Sequence, residues 1–169
     1  MMRWRAAVML GALCAGALLP GVRAAEPASA PTLGQNERPI HDAARMGTRS
    51  EVEALLKADP AQRDVRTALG ATPLHYAAMN LDPGPTQALL AAGANPNARD
   101  GEGRTPLHMA AFATRGDNVK LLLRAGADPQ AKTEAGRDVL SMARKVRADE
   151  VAGEISLWIL KGCSKEKPC

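Results

Sequence analysis

The sequence predicts an all-α repeat solenoid of about four units, and three observations lead to that prediction. The heptapeptide TPLHYAA begins at Thr72, and TPLHMAA begins at Thr105, 33 residues later. Related segments begin near Arg38 and Asp138, in phase with these two, and self-similarity at a period of about 20–50 residues is typical of stacked repeats. Only 2% of the 169 residues are aromatic, so the core consists of small aliphatic side chains, which suit closely packed helices.

The first 24 residues have the layout of a secretory signal peptide. Arg3 and Arg5 precede an apolar run over residues 6–19, and a small residue, Ala24, closes the segment. The run is too short for a comfortable membrane span. We expect cleavage after Ala24, with an uncleaved amino-terminal anchor as the alternative. Residues 25–36 are rich in Pro and polar residues and predict a flexible leader. The layout favours a periplasmic location in a bacterium, with no membrane contact of the mature form.

The charge of the chain argues against one class of partner. The full sequence carries a formal charge of +4, but three of its 22 basic residues lie before residue 25, where there is no acidic residue. Removing this segment leaves 19 basic residues against 18 acidic ones, a net charge of +1. A nearly neutral protein lacks the electrostatic footprint of nucleic-acid binding, so we expect no nucleic-acid partner.

The repeated unit predicts two helices followed by a hairpin loop, or finger. Thr72 and Thr105 are the predicted N-caps of the first helix in the two central units. The proline after each of them takes the first helical position, where a missing N–H costs nothing. Leucine pairs give the second helix a buried stripe, and Gly93 and Gly126 end it in a left-handed conformation. The polar turn residues that follow predict the finger.

The first and last units depart from this pattern, as the ends of a stack do. Arg38 stands where a capping threonine is expected, so we expect the first turn of that unit to fray. Asp138 is the predicted N-cap of the last unit, which ends at Gly162. Trp158 is expected to cover the exposed end of the stack, and docking of a partner is the alternative. The segment LDPGPT over residues 81–86 is either a local turn variant or a partner-specific feature.

The two central units, GATPLHYAA…LLAAGANPNA and GRTPLHMAA…LLLRAGADPQA, resemble ankyrin repeats. The resemblance covers Arg38 to about Gly162. We assign residues 37–162 to one domain with repeats that start near positions 38, 72, 105 and 138. The resemblance implies that His75 and His108 connect the threonine hydroxyl at the helix start to the neighbouring loop. The motif specifies a fold and says little about function.

Metal binding and catalysis are not expected. The three histidines occupy equivalent repeat positions and should lie about 8–10 Å apart, the distance between packed helices, whereas zinc ligands lie about 2.0–2.1 Å from the metal. The sequence has no G-x-S-x-G, phosphate-loop or H-E-x-x-H motif, so we expect no enzymatic activity, no cofactor and no metal. In the tail, residues 163–169, Cys163 and Cys169 predict a small disulfide loop in an oxidising compartment.

The resemblance implies a concave surface, formed by the fingers and the first helices, that binds another protein. The candidate contact residues occupy its variable positions: Tyr76, Met79, Asn80, Arg99, Glu102, Arg104, Met109, Phe112, Lys132, Arg137 and Lys145. Aromatic residues and arginines are enriched among interface anchors, which favours Tyr76, Phe112, Arg104 and Arg137. Packing of Phe112 between repeats is the alternative.

The sequence therefore predicts a non-enzymatic protein-binding module of the periplasm, in monomeric form. Its role remains open between an immunity or inhibitor protein and an accessory protein of an envelope enzyme. The alternative is a structural or oxidative-stress-related envelope scaffold that self-associates.

Overall fold

The computed structural model describes residues 37–164 and Glu166, and within them it contains eight α-helices, one 3-10 helix and no β-strand. The prediction of an all-α repeat solenoid is confirmed. The predicted signal peptide (1–24), the leader (25–36) and Cys169 lie outside the described residues. The helices are α1 (Pro39–Met46), α2 (Arg49–Ala58), α3 (Pro73–Ala77), α4 (Gly84–Ala91), α5 (Pro106–Phe112), α6 (Gly116–Arg124), α7 (Val139–Lys145) and α8 (Asp149–Leu160), with the 3-10 helix Pro60–Asp64 after α2.

The helices form two layers of equivalent elements. The first helices of successive units pack in the order α1, α3, α5 and α7, and the second helices pack in the order α2, α4, α6 and α8. Alanines recur every 33 residues in the first layer, and each is fully buried: Ala44, Ala77, Ala110 and Ala143. Because alanine adds only a methyl group, neighbouring helices approach closely and fill the interior at this position.

The first turn of α1 is capped, which corrects the expectation that it frays. Arg38 has extended backbone angles, and its N–H donates to Nδ1 of His41 at 2.9 Å. The histidine ring thus satisfies an amide at the helix start, and a threonine hydroxyl is not required for this contact. At the other end of the stack, the Asp138 carboxylate accepts the N–H of Ser141 at 2.6 Å and caps α7.

Three fingers project between consecutive units, over residues 67–71, 100–104 and 133–137. Each is closed by a backbone hydrogen bond from its first to its last residue, with N···O distances of 3.0, 2.9 and 2.9 Å. Neighbouring fingers are also joined, because the Gly101 N–H donates to the Leu69 carbonyl at 2.8 Å and the Glu134 N–H donates to the Glu102 carbonyl at 3.0 Å. The fingers therefore form a second stack beside the helices.

Candidate functional site

His75 and His108 form the same hydrogen-bond pattern between a helix start and a finger. In His75, Nδ1 lies 3.1 Å from the backbone nitrogen of Thr72 and 2.9 Å from its hydroxyl, while Nε2 lies 3.1 Å from the Arg104 carbonyl. His108 repeats the pattern with Thr105 at 3.2 and 2.9 Å and with the Arg137 carbonyl at 3.3 Å. These two histidines each connect their own unit to a finger, whereas Nε2 of His41 lies 3.2 Å from the carbonyl of Val65, before the first finger.

These contacts determine the protonation state of the rings. A backbone N–H only donates and a backbone carbonyl only accepts, so Nδ1 carries the lone pair and Nε2 carries the proton. Burial, opposed by the hydrogen bonds to carbonyls, lowers the pKa of His41, His75 and His108 below 6.5. Both ring nitrogens are thus occupied in a neutral ring. Among residues 37–164 and 166, no group of three or more His, Cys, Asp or Glu is placed to hold a metal ion.

A pocket of about 190 Å³ opens between the first two fingers and the first helices of the two central units. We call it the concave pocket. It brings together four predicted contact residues, Tyr76, Met79, Arg104 and Met109, with four others: Leu69, Ala71, His75 and Asp100. One side is thus apolar and thioether-rich, and the other holds an ion pair.

The ion pair joins Asp100 and Arg104, whose carboxylate oxygen and Nε lie 2.7 Å apart. Burial opposes ionisation of Asp100, but hydrogen bonds from the Arg104 side chain and from the backbone N–H groups of Arg104 and Glu102 outweigh it. The pKa of Asp100 consequently lies below its usual value. Both charges are balanced within the pocket wall, so the pocket carries no unpaired charge from this pair.

Tyr76 is held by the first unit as well as lining the concave pocket. Its hydroxyl donates to the Glu37 carboxylate at 3.2 Å, and the Arg45 guanidinium lies 4.6 Å from its ring centroid. Arg45 in turn forms an ion pair with Glu37 at 3.0 Å. The tyrosine ring is therefore fixed in orientation, which reduces the conformational entropy that a partner's binding would cost.

Basic residues directly before the fingers connect one unit to the next. Nη1 of Arg66 donates to the Arg99 carbonyl at 2.7 Å, and Nη2 of Arg99 donates to the Lys132 carbonyl at 2.6 Å. Arg99, predicted as a contact residue, thus has a structural contact as well as an exposed side chain. Glu102 is exposed and lies 3.4 Å from Arg104.

Asn80 does not lie on the surface that the sequence predicts for it. It is only 8% exposed, and its amide donates to the carbonyls of Ala44 and Gly47, both at 3.1 Å. Its Oδ1 accepts the Asp82 N–H at 3.0 Å and so shapes the turn before α4. The side chain satisfies carbonyls at the end of α1, where the helix leaves them without intrahelical partners.

The remaining predicted contact residues are exposed but do not line the concave pocket. Phe112 is 52% exposed at the end of α5, so much of its ring is open to solvent. Lys132, Arg137 and Lys145 are also exposed. Sequence reasoning missed Leu69, which is 69% exposed at the tip of the first finger. The sequence contained a signal for Leu69: the equivalent fingertip position in the next unit is the charged residue Glu102, so an apolar residue at this exposed position is unusual.

Comparison with protein families supports the repeat assignment. The family model described as ankyrin repeats (3 copies) matches residues 6–100 and 40–133, which together span more than half of the chain. No curated protein matches the sequence. Within the part of the chain that the structure describes, no helix has the length and apolar character to cross a membrane.

Proposed function

The chain belongs to the ankyrin-repeat family, whose repeats indicate a protein–protein interaction module, and from that premise we propose that it binds a partner protein of the bacterial periplasm, without enzymatic activity, through the concave pocket. The signal-peptide layout of residues 1–24 supports the periplasmic location. Ankyrin arrays offer extended concave surfaces for binding, and this chain has a pocket on that surface.

The shape of the concave pocket is the observation that carries the proposal. Its volume of about 190 Å³ is comparable to one large apolar side chain. Met79 and Met109 supply flexible thioether walls that adapt to different side-chain shapes. Leu69 stands exposed at the rim and adds apolar area that only a partner would bury. An apolar anchor in a desolvated pocket is the usual centre of binding energy at an interface.

The charges around the pocket favour an acidic partner surface. The Asp100–Arg104 pair is neutral overall, so an apolar anchor enters without stranding a charge beside it. Outside the pocket, the exposed predicted contacts are mostly basic: Arg99, Lys132, Arg137 and Lys145, against the single acid Glu102. Complementary charge speeds encounter and selects partners more than it adds affinity.

The test is affinity capture from periplasmic extract with a matched pair of variants. Leu69→Asp places a charge at the concave pocket, whereas Leu81→Asp places the same charge at a leucine that is 80% exposed and outside the pocket. We expect a captured protein to be lost with Leu69→Asp and retained with Leu81→Asp. Equal capture by both variants would contradict the assignment of the pocket. If the captured partner is an enzyme, its turnover is measured with and without this protein. A decrease would indicate an inhibitor, and an unchanged or increased turnover would indicate an accessory protein.

A self-associating envelope scaffold is the second candidate, and one observation favours it. The first unit has an apolar groove of about 540 Å³ lined in part by Met46, Leu55 and Ala43, and the Met46 side chain is largely exposed. Light scattering after size exclusion distinguishes the two candidates. A dimer that Met46→Glu dissociates would support the scaffold, and a monomer at all concentrations would remove it.

A further inference from the structure

A second groove lies between the outer helices α6 and α8, away from the concave pocket. Its apolar floor consists of Leu123, Leu157 and Trp158, and its rim carries three cations, Lys120, Arg124 and Lys161. Glu154 is the single acid in the lining. We call this the Trp158 groove. Its volume is about 360 Å³, and it shares no lining residue with the concave pocket.

The sequence spacing explains why these side chains face each other. Lys120, Leu123 and Arg124 follow at i, i+3 and i+4 along α6, so they lie on one face of that helix. Glu154, Leu157 and Trp158 follow at i, i+3 and i+4 along α8, and Lys161, the residue that caps the end of α8, continues the same face at i+7. Because α6 packs beside α8, the two faces border one valley, with apolar residues in the middle and charged residues toward its ends.

The charges in the groove are unbalanced. Nζ of Lys120 lies 3.5 Å from the Glu154 carboxylate, which neutralises one end. Among residues 37–164 and 166, no ion pair shorter than 4.0 Å involves Arg124 or Lys161. Arg124 and Lys161 lie at the carboxyl ends of α6 and α8. Cations at this position interact favourably with the helix dipole, which gives one reason for a basic residue at each of these two positions. The dipole does not account for Leu157, an apolar side chain that remains 53% exposed beside them.

The combination of an apolar floor and unpaired cations determines the occupant. We propose that the Trp158 groove binds an acidic amphipathic helix of a second partner protein. The apolar face of such a helix would cover Leu157 and Trp158, as amphipathic helices do in hydrophobic grooves. Carboxylates at the edge of that face would pair with Arg124 and Lys161. The protein is then an adaptor that joins two partners, one on each side of the helical stack.

Tryptophan fluorescence provides a direct readout. The chain has two tryptophans, Trp4 and Trp158. Trp4 lies in the predicted signal peptide, so the cleaved protein has Trp158 as its only indole, and Trp4→Phe gives the same result in the full chain. The probe is a synthetic helical peptide with Leu at i, i+3, i+4 and i+7 and Glu on its flanks. A second peptide with Lys in place of Glu is the charge control. We expect a saturable shift of Trp158 emission with the acidic peptide and about tenfold weaker binding of the basic peptide.

A matched pair of double variants tests the role of the rim. Arg124→Glu/Lys161→Glu reverses the charge of the groove, whereas Lys57→Glu/Arg144→Glu makes the same change in net charge at exposed residues that do not line it. The first pair should weaken the acidic peptide about tenfold or more and favour the basic one, and the second should leave the preference intact. Circular dichroism verifies that each variant is folded.

Four outcomes would overturn the proposal. An unchanged Trp158 emission with the acidic peptide would show that the groove does not bind it. Equal affinity for the two peptides, or equal losses in both double variants, would show that the rim cations do not select the ligand. A shift with phosphatidylglycerol vesicles but not with the peptide would assign the groove to an anionic lipid surface instead. None of these outcomes would affect the Leu69 experiment, because the two surfaces share no residue.

Discussion

Replacing His75 by Asn tests the connection between a helix start and the next finger. The Asn Oδ1 occupies the place of Nδ1 and still accepts the Thr72 N–H, but the side chain lacks the Nε2 donor that faces the Arg104 carbonyl at 3.1 Å. The substitution therefore removes one of the two connections and preserves the other.

The expected cost follows from the group left without a donor. A buried carbonyl that loses its partner costs about 1–3 kcal/mol, and the smaller side chain leaves a void at a fully buried position that adds to this cost. We expect the free energy of unfolding to fall by about 2–4 kcal/mol, a large part of the stability of a small domain.

Urea denaturation followed by circular dichroism measures this change. His75→Gln is the matched variant. Its longer side chain can place an amide N–H near the Arg104 carbonyl, but it has no acceptor at the position of Nδ1 for the Thr72 N–H. Both variants should unfold at lower urea than the wild type with a similar m-value. A midpoint for His75→Asn indistinguishable from the wild type would refute the idea that the Nε2 contact supports the finger.

Three further predictions follow from the same structure. Because burial lowers the pKa of the three histidines, the unfolded chain binds more protons below pH 6.5. The free energy of unfolding should have its highest value above pH 6.5. It should decrease as the pH is lowered from 6.5 toward the histidine pKa values of the folded state, with a slope of up to about 4 kcal/mol per pH unit for three histidines. A flat profile in urea titrations between pH 7.5 and 5 would contradict this. Gly70→Ala should destabilise more than Gly136→Ala. Both have φ near +70°, but only at Gly70 would a Cβ lie 3.0 Å from a backbone nitrogen; the strain alone is about 1–2 kcal/mol, and equal thermal midpoints would show that the contact relaxes. Asn118→Leu should cost about 2–4 kcal/mol in urea unfolding, because the two N–H groups of the Asn118 amide serve three carbonyls at and just beyond the end of α3; a loss below 0.5 kcal/mol, as at ordinary surface positions, would show that water replaces it.

The repeat phase could be predicted because it depends on local chemistry. Pro73 and Pro106 start helices where a missing N–H costs nothing. Gly93 and Gly126 follow the second helices with positive φ, where other residues are strained. Such constraints act within a few residues, so a single sequence contains them.

The candidate site depends on contacts that no local pattern records. Tyr76 is oriented by Glu37 and Arg45, residues 39 and 31 positions earlier in the chain. Asn80 occupies a position that varies between repeats, yet it satisfies carbonyls of the preceding unit and is buried. The contribution of Leu69 to the pocket could be predicted only if it were known which fingertip borders that pocket. These features depend on how adjacent units meet.

Site-specific photocrosslinking in the periplasm tests whether a partner binds in the concave pocket. A benzophenone amino acid at Met109, which lines the pocket, is compared with one at Leu81, which is exposed elsewhere. We expect one crosslinked protein from position 109 and none from position 81. A crosslink that forms only from position 81, or none from 109 when the partner is captured, would contradict it.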